Sequence, residues 1–334
     1  MLKANIDSSI TSLSKMHLFN KFNFPSEVYT VVQLNNGTIL EGLGNGSIYF
    51  FMNDNLINPS NILNVDKFPI TNIIQLENNS IICSSNSPSL FIIKENPQIK
   101  NEYEIIKKKN TKSYPQQNIN KIIELPNENL IYIDNYFITM TKNDLSLIKE
   151  KKINSPIIDI ILINKKTVVC ALPAKKSIIY FETEKLNQEK EIKNIKFLQT
   201  VDFNNIFCIL NHELLFVGGC LGCIYLISLK NTNFIAHLNL VNNREIITSV
   251  YNLKNGDLAC GVSIVEDIND KVVGVISDLV QFEYKEYQNS FQEIHRLKKL
   301  HSNIIRVVKE IINHKGMKIL ISASLDGTTH FFNL

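Results

Sequence analysis

One phrase recurs along the chain, and it constrains the fold more than any bulk property. Glu27 to Met52 reads EVYTVVQL-NNG-TILEGLG-NGSIYFFM, three short runs of β-branched and aromatic residues separated by turn formers. Asn36-Gly37 and Asn45-Gly46 are expected to supply the positive φ angles of tight hairpins. The phrase returns at Ile70 to Lys94, Ile119 to Thr141, Pro156 to Glu182, Phe203 to Leu229, Arg244 to Ser277 and Asn303 to Leu334. First strands begin near Val28, Ile70, Ile119, Ile157, Phe203, Ile246 and Ile304, a period of roughly 40 to 50 residues. No long stretch carries apolar residues at helical spacing, and the nearest, Phe291 to Leu300, is short. The fold class is therefore all-β.

Between copies lies a more polar run: Ile62 to Val65, Tyr103 to Lys107, Leu145 to Ile153, Glu189 to Ile195, Phe234 to Leu240 and Gln292 to Lys298. An outer strand meets the core on one face only and needs fewer apolar residues. Four-strand units of this period predict a seven-bladed β-propeller, a ring in which each sheet covers the bare face of the next. The last copy has only three strands. Lys15 to Phe24, KMHLFNKFNF, is expected to pair beside Phe331-Phe332 as its fourth and close the ring. The whole chain, 1–334, then reads as one propeller domain, with residues 1–12 a loose N-terminal lead.

The seventh copy resembles a WD repeat at His301, Ser322, Asp326-Gly327, Phe332 and Asn333. The resemblance implies a hydrogen-bonded blade cluster in which His301 and Asp326 pair across the turn with Ser322 beside them. Phe332 stands where that family has Trp and offers no N–H. The chain holds no Trp, and the other six copies keep the strand rhythm without the full signature. The resemblance also implies a non-catalytic scaffold that binds other proteins or peptides on the face holding its D–A and B–C turns.

Composition sets bounds on that reading. The net charge of +3 is spread along the chain, and Arg244, Arg296 and Arg306 are its only arginines. Nucleic acid is thus not expected as a partner, because bidentate recognition favours arginine. No segment has the apolar length of a secretory signal or membrane span, and the cysteines form no dense framework. A cytoplasmic protein is the default, with the nucleus equally open. No nucleophile elbow, Walker loop or dinucleotide fingerprint occurs, so no enzyme activity and no cofactor are expected. Cys220-Leu-Gly-Cys223 has half the ligands of a zinc site and reads as two small thiols at a hairpin. The lysine-rich Ile105 to Asn118 reads as a solvated connector. Candidate partner contacts are Arg244, Glu245 and Arg306 near first strands, and Glu266, Asp267 and Asp270 in the acidic loop Val265 to Lys271. Two other classes stay open: a channel hydrolase, requiring His, Asp or Glu from several blades, and an RNA-associated propeller with salt-sensitive binding.

Overall fold

The computed structural model describes residues 16–110 except 53, 119–194, 207–210, 214–218, 223–239 except 232, 245–288 except 269 and 270, and 290–334. Seven four-stranded antiparallel sheets form the molecule. Their inner strands are Val28–Gln33, Ile70–Gln75, Ile119–Glu124, Asp159–Asn164, Phe207–Leu210, Glu245–Asn252 and Ile305–Ile312, for blades 1 to 7 in turn. Each inner strand neighbours the next, and the seventh returns to the first, so the blades form a closed propeller. Among the described residues the only helical turns are the three-residue 3₁₀ segments Pro173–Lys175 and Glu286–Gln288. None is long and apolar enough to cross a membrane.

Alternation along the strands gives each sheet two apolar faces, and each face packs on a neighbouring blade. Seven apolar clusters result, each filling the seam between consecutive blades. Phe50 of blade 1 stacks on Tyr103 of blade 2 with ring centres 4.4 Å apart, and Phe331 of blade 7 packs with Val28 and Ile39 of blade 1. The turns use local chemistry. Of Asn36-Gly37 and Asn45-Gly46, only the glycine takes a positive φ, at 88° and 84°. The asparagine instead turns its carbonyl back to accept an N–H two residues on, from Thr38 at 3.0 Å and Ser47 at 3.2 Å. Gly46 has a second reason to lack a side chain, since a Cβ there would lie 2.0 Å from the Asp66 carbonyl oxygen.

The ring closes as expected. His17–Asn23 lies antiparallel to Thr328–Asn333, with Leu18 opposite Phe332 and Phe22 opposite Thr329. The Phe24 N–H then bonds the Gly327 carbonyl at 2.7 Å. Phe22 and Phe24 pack edge-on against Phe51 of blade 1 at 5.1 and 6.0 Å, so the closing strand also lines the seam beyond its own sheet.

A register shift marks the start of the inner strand in five blades, leaving Tyr29, Thr71, Asn120, Thr248 and Arg306 as the extra residue. In three of these blades the extra side chain reaches forward. Thr71 donates to the Ile119 carbonyl at 3.1 Å, Asn120 to Ile157 at 2.8 Å and Thr248 to Ile305 at 2.8 Å. Each acceptor sits at the start of the next blade's inner strand, so one polar position builds a seam latch. At the far end of the inner strands Gln75, Glu124 and Glu310 accept backbone N–H groups from Asn35, Glu77 and Lys254 of the preceding blade.

The outer rim is tied in the same sense. The outer strand of blade 2, Tyr103–Asn110, sends the Lys107 ammonium to the Asp144 carbonyl of blade 3 at 2.6 Å, and Lys109 to Leu145. Lys151 of blade 3 reaches Leu186 of blade 4 at 2.8 Å, and Lys149 reaches Lys185. Lys108 faces the other way, over the Phe91 ring at 5.1 Å. Three of the four lysines in the run read as a connector, Lys107, Lys108 and Lys109, therefore lie in a strand, and two of them fasten adjacent blades. Residues 111–118 lie outside the described residues.

Glu41 is buried in the seam between blades 7 and 1, where it accepts the Thr329 hydroxyl at 2.6 Å and leaves Oε1 without a partner. Burial raises its carboxyl from 4.5 to about 8, with the Thr329 bond opposing. Between those values the folded chain keeps a proton that the unfolded chain releases, so stability falls as pH rises through that window. Glu41→Gln is expected to flatten that slope and to be more stable above pH 8 by on the order of 2–4 kcal/mol. Urea midpoints measured across the window test this, and an unchanged slope in the variant would refute it.

Candidate functional site

Lettering the strands A to D from the axis outward, the start of A and the end of B open on one face in every blade. The D–A and B–C turns therefore share that face. Three features stand there or on the axis beneath it: the cluster of blade 7, the enlarged blade 6 and the central channel.

In blade 7 the His301 ring lies between two strands and a turn. Its Nε2 sits 2.9 Å from Ser322 Oγ, and its Nδ1 lies 3.1 Å from Asp326 and 3.0 Å from Thr328 Oγ1. Asp326 also accepts the Ser302 N–H at 2.9 Å and the Thr328 hydroxyl at 2.6 Å, which fixes the D–A turn to the B–C turn. Burial raises the Asp326 carboxyl, but the bonds from His301 and Thr328 outweigh it and hold the group well below the ordinary carboxylate range. His330 stacks on His301 at 4.5 Å, a partner the sequence reading did not single out. Burial, followed by the charges of His301 and Lys21, lowers the His330 ring to about 4, so it is neutral at pH 7. With His301 bonded at both ring nitrogens and both rings buried, this cluster holds two turns in place.

Blade 6 is the outsize member. Its B and C strands, Leu258–Ile268 and Lys271–Lys285, pair from Leu258 opposite Phe282 to Ile268 opposite Lys271, with one register shift between Glu266 and Asp267. Strand A pairs with B only as far as Glu245 opposite Ile264, and strand D reaches C only at Ser277 opposite His301. Past those points B and C continue as a two-stranded ribbon whose edges, among the described residues, pair with no other strand. At its base Arg296 binds Glu245 and Asp278, each at 2.8 Å, and Glu293 at 2.9 Å. One guanidinium thus holds three carboxylates, two of them buried. A cavity of about 360 Å³ adjoins this hub, lined by Ile264, Ile276, Lys298 and Lys299 beside the charged groups.

The candidate partner contacts fall in different places. Glu245 is only 6 % exposed and serves the Arg296 hub, and Arg306 is 8 % exposed and lies over the Tyr29 ring on the channel wall. Neither presents its charge outward: Glu245 turns onto Arg296 of its own blade's outer strand, and Arg306 turns toward the axis. Glu266 and Asp267 lie in the ribbon, opposite Gly274 and Val272, and their side chains lie outside the described set. Arg244, Asp270 and Cys220 lie outside the described residues, and Cys223 begins a strand opposite Asn239. Sequence reading passed over Arg296, whose three partners come from positions 245, 278 and 293.

The central channel is a cavity of about 220 Å³ walled by the inner strands of blades 1, 2, 3, 6 and 7. Lys121 enters from blade 3 and is paired at 2.6 Å with Asp159 of blade 4. Burial raises the Asp159 carboxyl, with Lys121 and the N–H groups of Phe207 and Ile160 opposing. Among the described residues no three His, Cys, Asp or Glu side chains gather as a metal ion would require.

Fold and site together define a seven-bladed β-propeller with an extended ribbon on one face. No protein-family model matches the chain, and no curated protein matches it.

Proposed function

We propose that the chain is a non-catalytic, WD-repeat-like scaffold that docks other proteins on the face holding its D–A and B–C turns, with the blade 6 ribbon as the principal contact. The carrying observation is the ribbon itself: paired strands that run on past their own sheet to Ile268 and Lys271. A two-stranded ribbon adds little stability alone, and its free edges offer backbone donors and acceptors to an incoming strand. Glu266, Asp267 and Asp270 bias it toward a basic partner segment. The blade 7 arrangement of His301, Ser322 and Asp326 supports the WD-repeat reading. Cys83, Cys170, Cys208 and Cys260 are free and buried, which suits a reducing, cytoplasmic setting.

The test shortens the ribbon. Joining Ile264 to Ile276 through an Asn-Gly turn should keep the melting temperature within a few degrees, because the seam cores are untouched. Proteins recovered with the full chain from native cells should be lost with the shortened chain. Recovery of the same set with both would refute the ribbon as the contact.

A further inference from the structure

The channel wall is unbalanced in charge. Lys121, Arg306 and Lys309 line it, and among the described residues no Asp or Glu does. Asp159, the nearest counter-charge to Lys121, is saturated by Lys121, by the Phe207 N–H at 3.1 Å and by the Ile160 N–H at 2.8 Å. Lys309 occupies the inner-strand position where blades 1, 2 and 3 place Val32, Ile74 and Ile123. Its ammonium has no hydrogen-bond or ion-pair partner among the described residues. A lysine in an apolar row, half-buried and unpaired, costs stability unless something compensates it.

We infer that the central channel is a binding site for a small free oxyanion, held by Lys309 and drawn in by the field of Arg306. The cavity of about 220 Å³ has room for roughly seven waters at about 30 Å³ each, enough for a phosphate-sized ion with part of its hydration shell. Burial lowers the Lys309 ammonium to about 8, which leaves it mostly charged at neutral pH and open to a counter-ion. Low-dielectric walls with cations from blades 3 and 7 concentrate anions at the axis. This site goes beyond partner docking, since it lies on the axis and does not involve the blade 6 ribbon.

Inorganic phosphate is the probe, read by calorimetry and by melting temperature against chloride at matched ionic strength near pH 7. The intact chain should bind one phosphate and melt higher as phosphate rises. Lys309→Met should weaken binding at least tenfold and abolish that rise, while melting no lower than the intact chain in chloride. Lys100→Met, at an exposed position, should keep the full response. No binding by the intact chain, or an equal phosphate response in Lys309→Met, would overturn the proposal. If Lys309→Met fails to fold, Lys309→Gln provides the same comparison, with at least threefold weaker binding expected and unchanged binding counting against the site.

Discussion

Deleting residues 1–24 is expected to abolish cooperative unfolding and drive the chain into aggregates. The deletion uncovers the whole of Thr328–Asn333 as a bare sheet edge, and such an edge pairs with other chains. It also removes Phe22 and Phe24 from the face of Phe51 and Tyr49 in the seam between blades 7 and 1. Burial of each of those aromatic side chains contributes about 1.5–3 kcal/mol, before the lost ladder of hydrogen bonds is added. The sum approaches the net stability of an ordinary domain, about 5–15 kcal/mol. Gel filtration and urea unfolding followed by circular dichroism would show it. A synthetic peptide of residues 15–24 should restore a monomeric, cooperative species. A truncated monomer with an unchanged urea midpoint would sink the expectation. Phe19→Ser supplies the contrast: Phe19 is the extra residue of the closing strand and is exposed, so its loss should move stability by no more than about 0.5 kcal/mol.

Asp326→Ala should be the most damaging single substitution among the turn residues, at about 2–4 kcal/mol. One carboxylate receives His301, the Thr328 hydroxyl and the Ser302 N–H, and its removal leaves several donors unmatched at once. The pH dependence separates charge from shape. Because the folded carboxyl lies below its ordinary 3.8, its stabilising contribution is complete above that value and drains away as pH falls beneath it. Asp326→Asn keeps the size but not the charge. It should be less stable than the parent at pH 7 and should lose the part of the acid-side slope that this group supplies. Equal acid slopes in parent and Asn variant would show that the charge contributes nothing.

The parts of this molecule that sequence alone made legible are those written in local chemistry. Apolar runs separated by Asn-Gly and Asp-Gly turns fixed the strands, their period fixed the blades, and the shortfall in the last copy pointed to Lys15 to Phe24 as the closing strand. His301 with Asp326 was expected only through the resemblance of the seventh copy to a WD repeat, because the two stand 25 residues apart on different turns. Functions that depend on the next blade were not. Lys107 and Lys109 were read as solvated because their acceptors are main-chain oxygens some 36 residues onward, which carry no side-chain signature. Arg306 was read as a surface anchor, although the register shift at the start of its strand aims it at the axis. A signal for that turn exists in retrospect: Ile70-Thr71-Asn72-Ile73, Ile119-Asn120-Lys121-Ile122 and Ile247-Thr248-Ser249-Val250 share two polar residues inside an apolar strand. That pairing breaks simple alternation and marks the bulge.

The forward bonds of Thr71, Asn120 and Thr248 bear on how such a ring can change its amino acids over time. Each ends on a peptide oxygen, which every residue type possesses. The receiving position is therefore released from any demand on its own identity beyond filling the apolar slot. Only the donating half must be retained, and Thr and Asn both satisfy it. Wedges joined through such one-sided rules can change most of their residues and still meet in a circle.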